Sequence, residues 1–237
     1  MSIYVGTPDN VSALVNTPYI GVNGSAVPQK VYIGDEANTS RKVWEEVNDY
    51  QYVEYIGINT DGPIIDTGII PNDNTKVYFQ AMFTTTSTLY LGSRTGGTPS
   101  SYYVLLLGPS CRCQYGASQA STIVSSLSTN TKYSLTWNDN KNFSVTETSS
   151  SISVDRILAN ASQSIWIFGV HSSGSTSNLY SNNGRVFNCK IWQGNTLVRD
   201  FQPCYRITDQ VIGMYDRVSR QFFTNAGSGY FIKGPDI

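Results

Sequence analysis

"KVYFQAMF", residues 76–83, decides the fold. Val77, Phe79, Ala81 and Phe83 fall at every second position, and a period of two gives a strand one apolar face where a helix would need a period near 3.6. "RVFNCKIW", residues 185–192, reads the same way. Strict alternation puts Val186, Asn188 and Lys190 on one side and Phe187, Cys189 and Ile191 on the other. Outward from these two, strand-like runs recur at 51–56, 89–92, 102–107, 112–115, 133–137, 143–146, 165–170, 197–201, 211–215 and 221–224. Between them lie clusters of turn-forming residues, at 59–62, 95–98, 138–140, 172–175, 182–184 and 194–195. No run supports a helix longer than a turn or two. Many short strands punctuated by turns point to an all-β, antiparallel two-sheet sandwich.

Composition agrees and excludes several classes. Of 237 residues only 14% are charged, yet 40% are hydrophobic and sixteen are tyrosine. Disordered chains lack that aromatic content, and Tyr, Thr and Val favour strands. A net charge of −1 without a basic run leaves no electrostatic footprint for nucleic acid. No apolar stretch approaches membrane-spanning length. "MSIYVG" enters a strand at once, without the charged and then apolar segments of a classical signal peptide.

The first forty-nine residues follow a different plan. Tyr4-Val5-Gly6, Tyr19-Ile20-Gly21 and Tyr32-Ile33-Gly34 repeat one short unit. Each is followed by polar turn residues, such as Asn23-Gly24, and by a return run at 11–14, 26–30 or 41–44. Isolated hairpins are marginal in water, so this segment is expected to gain its order by docking, with Tyr4, Tyr19, Tyr32 and Trp44 as assembly anchors. The charged stretch "WEEVNDYQ", residues 44–51, marks the boundary as a helical turn or linker. Two domains follow: a hairpin repeat module over 1–49 and a sandwich over 50–237.

Four cysteines, Cys111, Cys113, Cys189 and Cys204, lack the second close pair a zinc site needs. They read as small buried hydrophobes; only Cys189 and Cys204, on neighbouring expected strands, are placed to pair.

Two stretches resemble a known domain. "EYIGINTDGPIIDTGIIPNDNTKVYFQAMF" is similar to the opening of a concanavalin A-like (LamG-like) jelly-roll domain of phage structural proteins, through Tyr55, Ile56, Asp66, Thr67, Gly68, Pro71, Thr75 and Lys76. The end resembles the same domain through Cys189, Leu197-Val198-Arg199-Asp200-Phe201, Pro203-Cys204-Tyr205-Arg206, Ile212-Gly213, Tyr215-Asp216 and Asn225-Ala226-Gly227. The N-terminal repeats look like modules that precede such domains. The resemblance implies a bacteriophage virion protein of fibre or decoration type, assembled in the host cytoplasm and exposed on the particle. Its implied partners are other virion proteins, further copies of itself and a bacterial surface glycan. A purely structural decoration protein that stabilises capsid or tail remains the alternative.

Catalytic groups are sparse. His171 is the single histidine, and Glu54 and Glu147 are the only glutamates beyond residue 50, which is poor material for a triad or for a glycosidase carboxylate pair. The expectation is no enzyme, no cofactor and no metal; Asp61, Asp66 and Asp73 are the nearest approach to a calcium cluster. Charged residues of the closing strands read as structural: Arg199 and Asp200 on opposite faces, with Asp200, Arg206 and Asp216 in a partly buried network. Sugar recognition needs aromatic faces beside fixed polar groups. Between about 85 and 180 the resemblance fades, and there Arg94, Tyr102, Tyr103, Tyr115, His171 and Tyr180 are the candidate glycan-binding residues. Against that stands the habit of aromatics to fill sandwich cores.

Overall fold

The computed structural model describes residues 49–138, 141–175 and 177–237, together with the backbone of six short strands between residues 3 and 44. The chain divides into two compact units, Met1–Asp49 and Tyr50–Ile237. In the first, Ile3–Gly6 pairs with Ser12–Val15, Tyr19–Val22 with Ser25–Pro28, and Val31–Gly34 with Ser40–Trp44, all antiparallel. Tyr4 faces Leu14 across its ladder, Tyr19 faces Pro28, Tyr32 faces Lys42 and Trp44 faces Val31. The side chains of these four expected anchors, the turns between the strands and residues 45–48 of the boundary stretch lie outside the described residues.

The second unit is all-β. Among the described residues its larger sheet runs, in spatial order, Ser150–Ser153, Asn142–Val145, Tyr133–Trp137, Thr75–Met82, Gly184–Gln193, Thr196–Arg206, Ile212–Asp216 and Gln221–Thr224. Tyr50–Tyr52, Ile56–Ile58 and Ile232–Lys233 join it at one end. The smaller sheet runs Ser121–Val124, Cys111–Tyr115, Tyr103–Leu107, Leu89–Gly96, Gly169–Gly174 and Leu179–Tyr180. Together they make a jelly-roll-like sandwich. Among the described residues the pairing is antiparallel except where Leu89–Gly96 runs parallel to Gly169–Gly174; an excursion through seven further strands separates the two in sequence.

The alternation of residues 75–82 is realised: Thr75, Val77, Phe79 and Ala81 are buried, while Lys76, Tyr78 and Gln80 look outward. The second alternating stretch departs from its expected phase. Gln80 is opposite Asn188 but Ala81 is opposite Val186, so Phe187 is an extra residue in a β-bulge. Beyond the bulge the faces exchange. Val186, Cys189 and Ile191 point into the core, and Phe187, Asn188, Lys190 and Trp192 line the outer side.

Large aromatics lock the two sheets together. The rings of Trp137 and Tyr103, from opposite sheets, stack 3.9 Å apart, and Phe143 lies 3.6 Å from Trp137. Tyr115 packs on the same cluster, 4.9 Å from Trp137. All four cysteines are buried free thiols, so Cys189 and Cys204 do not pair. Burial pushes the Cys111, Cys113 and Cys204 thiols up to about 12. Gly92 sits at φ +152 with the Tyr103 carbonyl only 2.2 Å from where a Cβ would be, so a side chain there would collide with the neighbouring strand.

A buried carboxylate finishes the larger sheet. Asp216 accepts from Asp200 N at 2.8 Å, Val218 N at 3.1 Å, and Ser219 through both N (3.2 Å) and Oγ (2.6 Å). Arg199 lies 3.6 Å away. The expected network of Asp200, Arg206 and Asp216 does not form. Asp216 is joined by Arg199 and by the backbone N–H of Asp200, whose carboxylate lies instead by Lys190 and Gln202. Arg206 pairs at the surface with Asp209 at 2.7 Å. At the edge of this sheet the two ends of the unit meet. Glu54 N donates to Pro235 O, Ile237 N to Tyr52 O and Gln51 Nε2 to Ile237 O, and Val53 bridges Asp236.

Candidate functional site

Strand geometry builds a site on the outer face of the larger sheet. In a sheet, residues of one parity on neighbouring strands form rows about 5 Å apart across the ladder and about 7 Å apart along it. Here one row is Trp192 beside Lys76, the next Lys190 beside Tyr78 and Thr136, and the third Asn188 beside Gln80 and Ser134. Asp200 extends the middle row, opposite Lys190. A groove of about 630 Å³ lies over these rows. The bulge adds Phe187 to its wall. That ring is held by Tyr55, edge-on at 5.6 Å, and by the Lys132 ammonium 4.8 Å from its centroid.

The polar groups of the groove are tied to one another. Gln80 Nε2 donates to Ser134 Oγ at 3.2 Å, and the Ser134 amide donates to Glu147 Oε2 at 2.7 Å. Gln202 Nε2 donates to Asp200 Oδ1 at 3.1 Å, with Lys190 Nζ 3.8 Å from the same oxygen. Lys76 Nζ donates to Asn195 Oδ1 at 3.1 Å. Asn188 Oδ1 is the exception: it is buried with no hydrogen-bond partner within the protein. A buried acceptor left without a partner is costly, and burial keeps this one from an incoming donor. Aromatic faces beside preset amides and hydroxyls are what a saccharide needs, its C–H surfaces against rings and its hydroxyls against polar groups.

The residues expected to bind glycan are dispersed. Tyr103 and Tyr115 are fully buried between the sheets. Their rings belong to the core cluster, Tyr103 OH reaches Thr75 O at 3.4 Å, and Tyr115 OH donates to Asp73 Oδ1. They are corrected here to core residues, because their strand parity points them inward. Tyr102 is half-buried just ahead of that strand. Arg94 is half-buried on the smaller sheet, donating to Ser172 Oγ at 2.9 Å and Ser177 O at 3.0 Å. His171 stacks on Trp166 at 4.2 Å and its Nδ1 lies 3.1 Å from Ser164 Oγ; Tyr180, 39% exposed, is 6.2 Å from Trp166. Since Ser172 is opposite Arg94 and Ser173 and His171 flank Ser172 in the strand, Arg94 and His171 belong to opposite sides of the sheet. The structure therefore gathers His171 and Tyr180 around Trp166, brings Tyr103 and Tyr115 together only inside the core, and leaves Arg94 apart from both groups.

Asp73 is a structural clasp. It accepts from Tyr115 OH and from Leu158 N at 3.0 Å, and pairs with Lys141 at 3.1 Å. Burial works against its ionisation, but these donors outweigh that and hold its carboxyl below the usual range. Asp66 accepts from Gly68 N at 2.9 Å. Among the described residues no three His, Cys, Asp or Glu side chains come together, and no helix is long and apolar enough to cross a membrane.

The groove residues that sequence reasoning missed, Tyr78, Phe187, Asn188, Lys190 and Trp192, all lie within the two alternating stretches. Their signal was the outward half of the alternation, where aromatic, amide and lysine side chains occupy positions a solvated face gives to small polar residues. No family model matches this chain, and no curated protein matches it in sequence.

Proposed function

We propose that this chain is a structural protein displayed on a bacteriophage particle, attached through residues 1–49 and contacting bacterial surface glycans with the outer face of its larger sheet. Other virion proteins and further copies of the chain are its assembly partners. The observation that carries the glycan reading is the groove itself, in which Tyr78, Trp192 and Phe187 stand beside Asn188, Gln80 and Gln202 on a rigid central sheet. The attachment reading rests on the three short hairpins and on the resemblance of both segments to phage structural modules. A shallow site of this kind binds weakly, at roughly 4 kcal/mol or millimolar Kd; many copies on one particle raise the avidity about a hundredfold or more.

The test is a glycan array probed with the full chain and with Trp192→Ala and Tyr78→Ala variants of unchanged thermal unfolding. Binding by the parent and loss in both variants is the expected result. If no glycan binds, while particles carrying the protein assemble and keep their stability, the sandwich is a structural decoration and the glycan reading fails.

A further inference from the structure

We infer that the ligand of the outer-face groove is an extended saccharide chain of several units, lying across the strands of the larger sheet, and not a single terminal sugar. This rests on the glycan reading above and adds to it the length of the ligand and a second set of contacts beyond the groove.

Register carries the argument. The groove covers the outer face of four adjacent strands, from Thr136 to Gln202, which at the usual strand spacing is about 14 Å. It ends at Gln202, but the face does not. Gln202 is opposite Tyr215, and Tyr215 is opposite Phe222, so both rings stand in the same outer row as the last residue of the groove. Two residues on from Gln202, Cys204 is opposite Tyr52, which puts that ring on the same face. The two further strands carry the surface about 10 Å beyond the groove.

The second patch has a floor of small residues. Cys204 and Gly213 are paired side by side. A Cβ on Gly213 would come 2.8 Å from Phe222 Cζ, so the Phe222 ring lies over the bare glycine. Cys204 is fully buried although it shares the outer parity of Gln202, so side chains of the outer face cover it. Tyr50 joins the patch, its ring 5.1 Å from that of Tyr215 and 5.0 Å from that of Phe222. Tyr52, Tyr215 and Phe222 all stay partly exposed. Rings set on a sheet in this way offer apolar faces to the C–H side of a sugar.

Polar groups accompany the rings. The Arg217 guanidinium is 5.9 Å from the centre of the Tyr52 ring, and Gln202 borders both the groove and Tyr215. A chain that leaves the groove over Gln202 therefore meets rings and hydrogen-bonding groups again within one strand spacing. Groove and patch together span about 24 Å, more than one sugar ring can touch.

The experiment measures binding of the full chain to three ladders, cut from a linear β-glucan, from chitin and from a linear uronan, each graded from disaccharide to octasaccharide. In at least one ladder the octasaccharide is expected to bind about ten-fold more tightly than the trisaccharide. That gain is expected to vanish in the Tyr215→Leu/Phe222→Leu double variant, which keeps apolar bulk over Gly213 and removes the flat ring faces. Trp192→Ala is expected to weaken every length. An affinity that levels off at the trisaccharide overturns this inference and leaves the glycan reading standing. A length gain that survives in the double variant overturns it too, because the gain then comes from a long chain offering the groove many equivalent stretches. Failure of all three ladders to bind overturns both readings. Tyr52→Leu, at the near edge of the patch, gives the same comparison if the double variant fails to fold.

Discussion

Tyr78 and Tyr103 belong to the two sheets of one sandwich and lead opposite lives. Tyr103 points inward, stacked on Trp137 with no solvent exposure. Tyr78 points outward, between Thr136 and Lys190, on the floor of an open groove. Both are tyrosines in strands, so residue type does not separate them; strand parity does. An aromatic on the inner parity is core, and only one on the outer parity is available to a ligand.

The sharpest way to break this comparison is to truncate the inner ring. Tyr103→Ala removes the centre of the inter-sheet stack and is expected to destabilise the sandwich by about 3–5 kcal/mol, read as a lowered midpoint in urea. A cost below about 1 kcal/mol would mean that the inner cluster is not the keystone described above.

A charged group on the inner parity ranks next. Asp216→Ala leaves Arg199 and three backbone amides without their acceptor, at an expected cost of about 3 kcal/mol. Burial opposes ionisation of Asp216, yet its hydrogen bonds prevail and hold the pKa below the ordinary value. A depressed folded pKa adds stability that is complete above the unfolded value, near 3.9, and that fades as pH falls through the folded one. Denaturation midpoints followed downward from pH 5 are thus expected to drop, and to drop less in Asp216→Asn. Equal slopes would dissociate acid sensitivity from this carboxylate.

Smaller effects refine the contrast. Tyr115→Phe keeps the inner ring and deletes only its donation to Asp73, an expected loss of about 1 kcal/mol. Tyr78→Ala is expected to cost about 0.5–1 kcal/mol in stability, while abolishing saccharide binding. A large stability loss at Tyr78 would erase the distinction between the two sides.

The strands themselves were legible because residues 76–83 spell their alternation without interruption and turn residues separate most of the others. The partner stretch 185–192 was misread, since a bulge leaves no mark in composition: nothing in "VFN" says that two residues in succession face outward. That single extra residue decides which side Asn188, Lys190 and Trp192 occupy, and with it the groove. The parallel pairing of Leu89–Gly96 with Gly169–Gly174 was hidden for another reason, as it joins segments with no local signal in common. Tyr103 and Tyr115 are aromatics near loops, where the competing demand of the core for large rings is the stronger one.

The meeting of Tyr52 with Ile237 at the sheet edge has a mechanical consequence. Tension applied between residues 50 and 237 loads the few bonds joining residues 51–54 to 235–237 in succession, as a zipper opens, and leaves the stacked interior unstressed until they have parted. The same closeness makes the sandwich a cassette. Its two ends fit side by side into one loop of a host protein without stretching it, and a short link between them would let the chain be cut instead at the Gly194 turn, where a side chain would meet nothing.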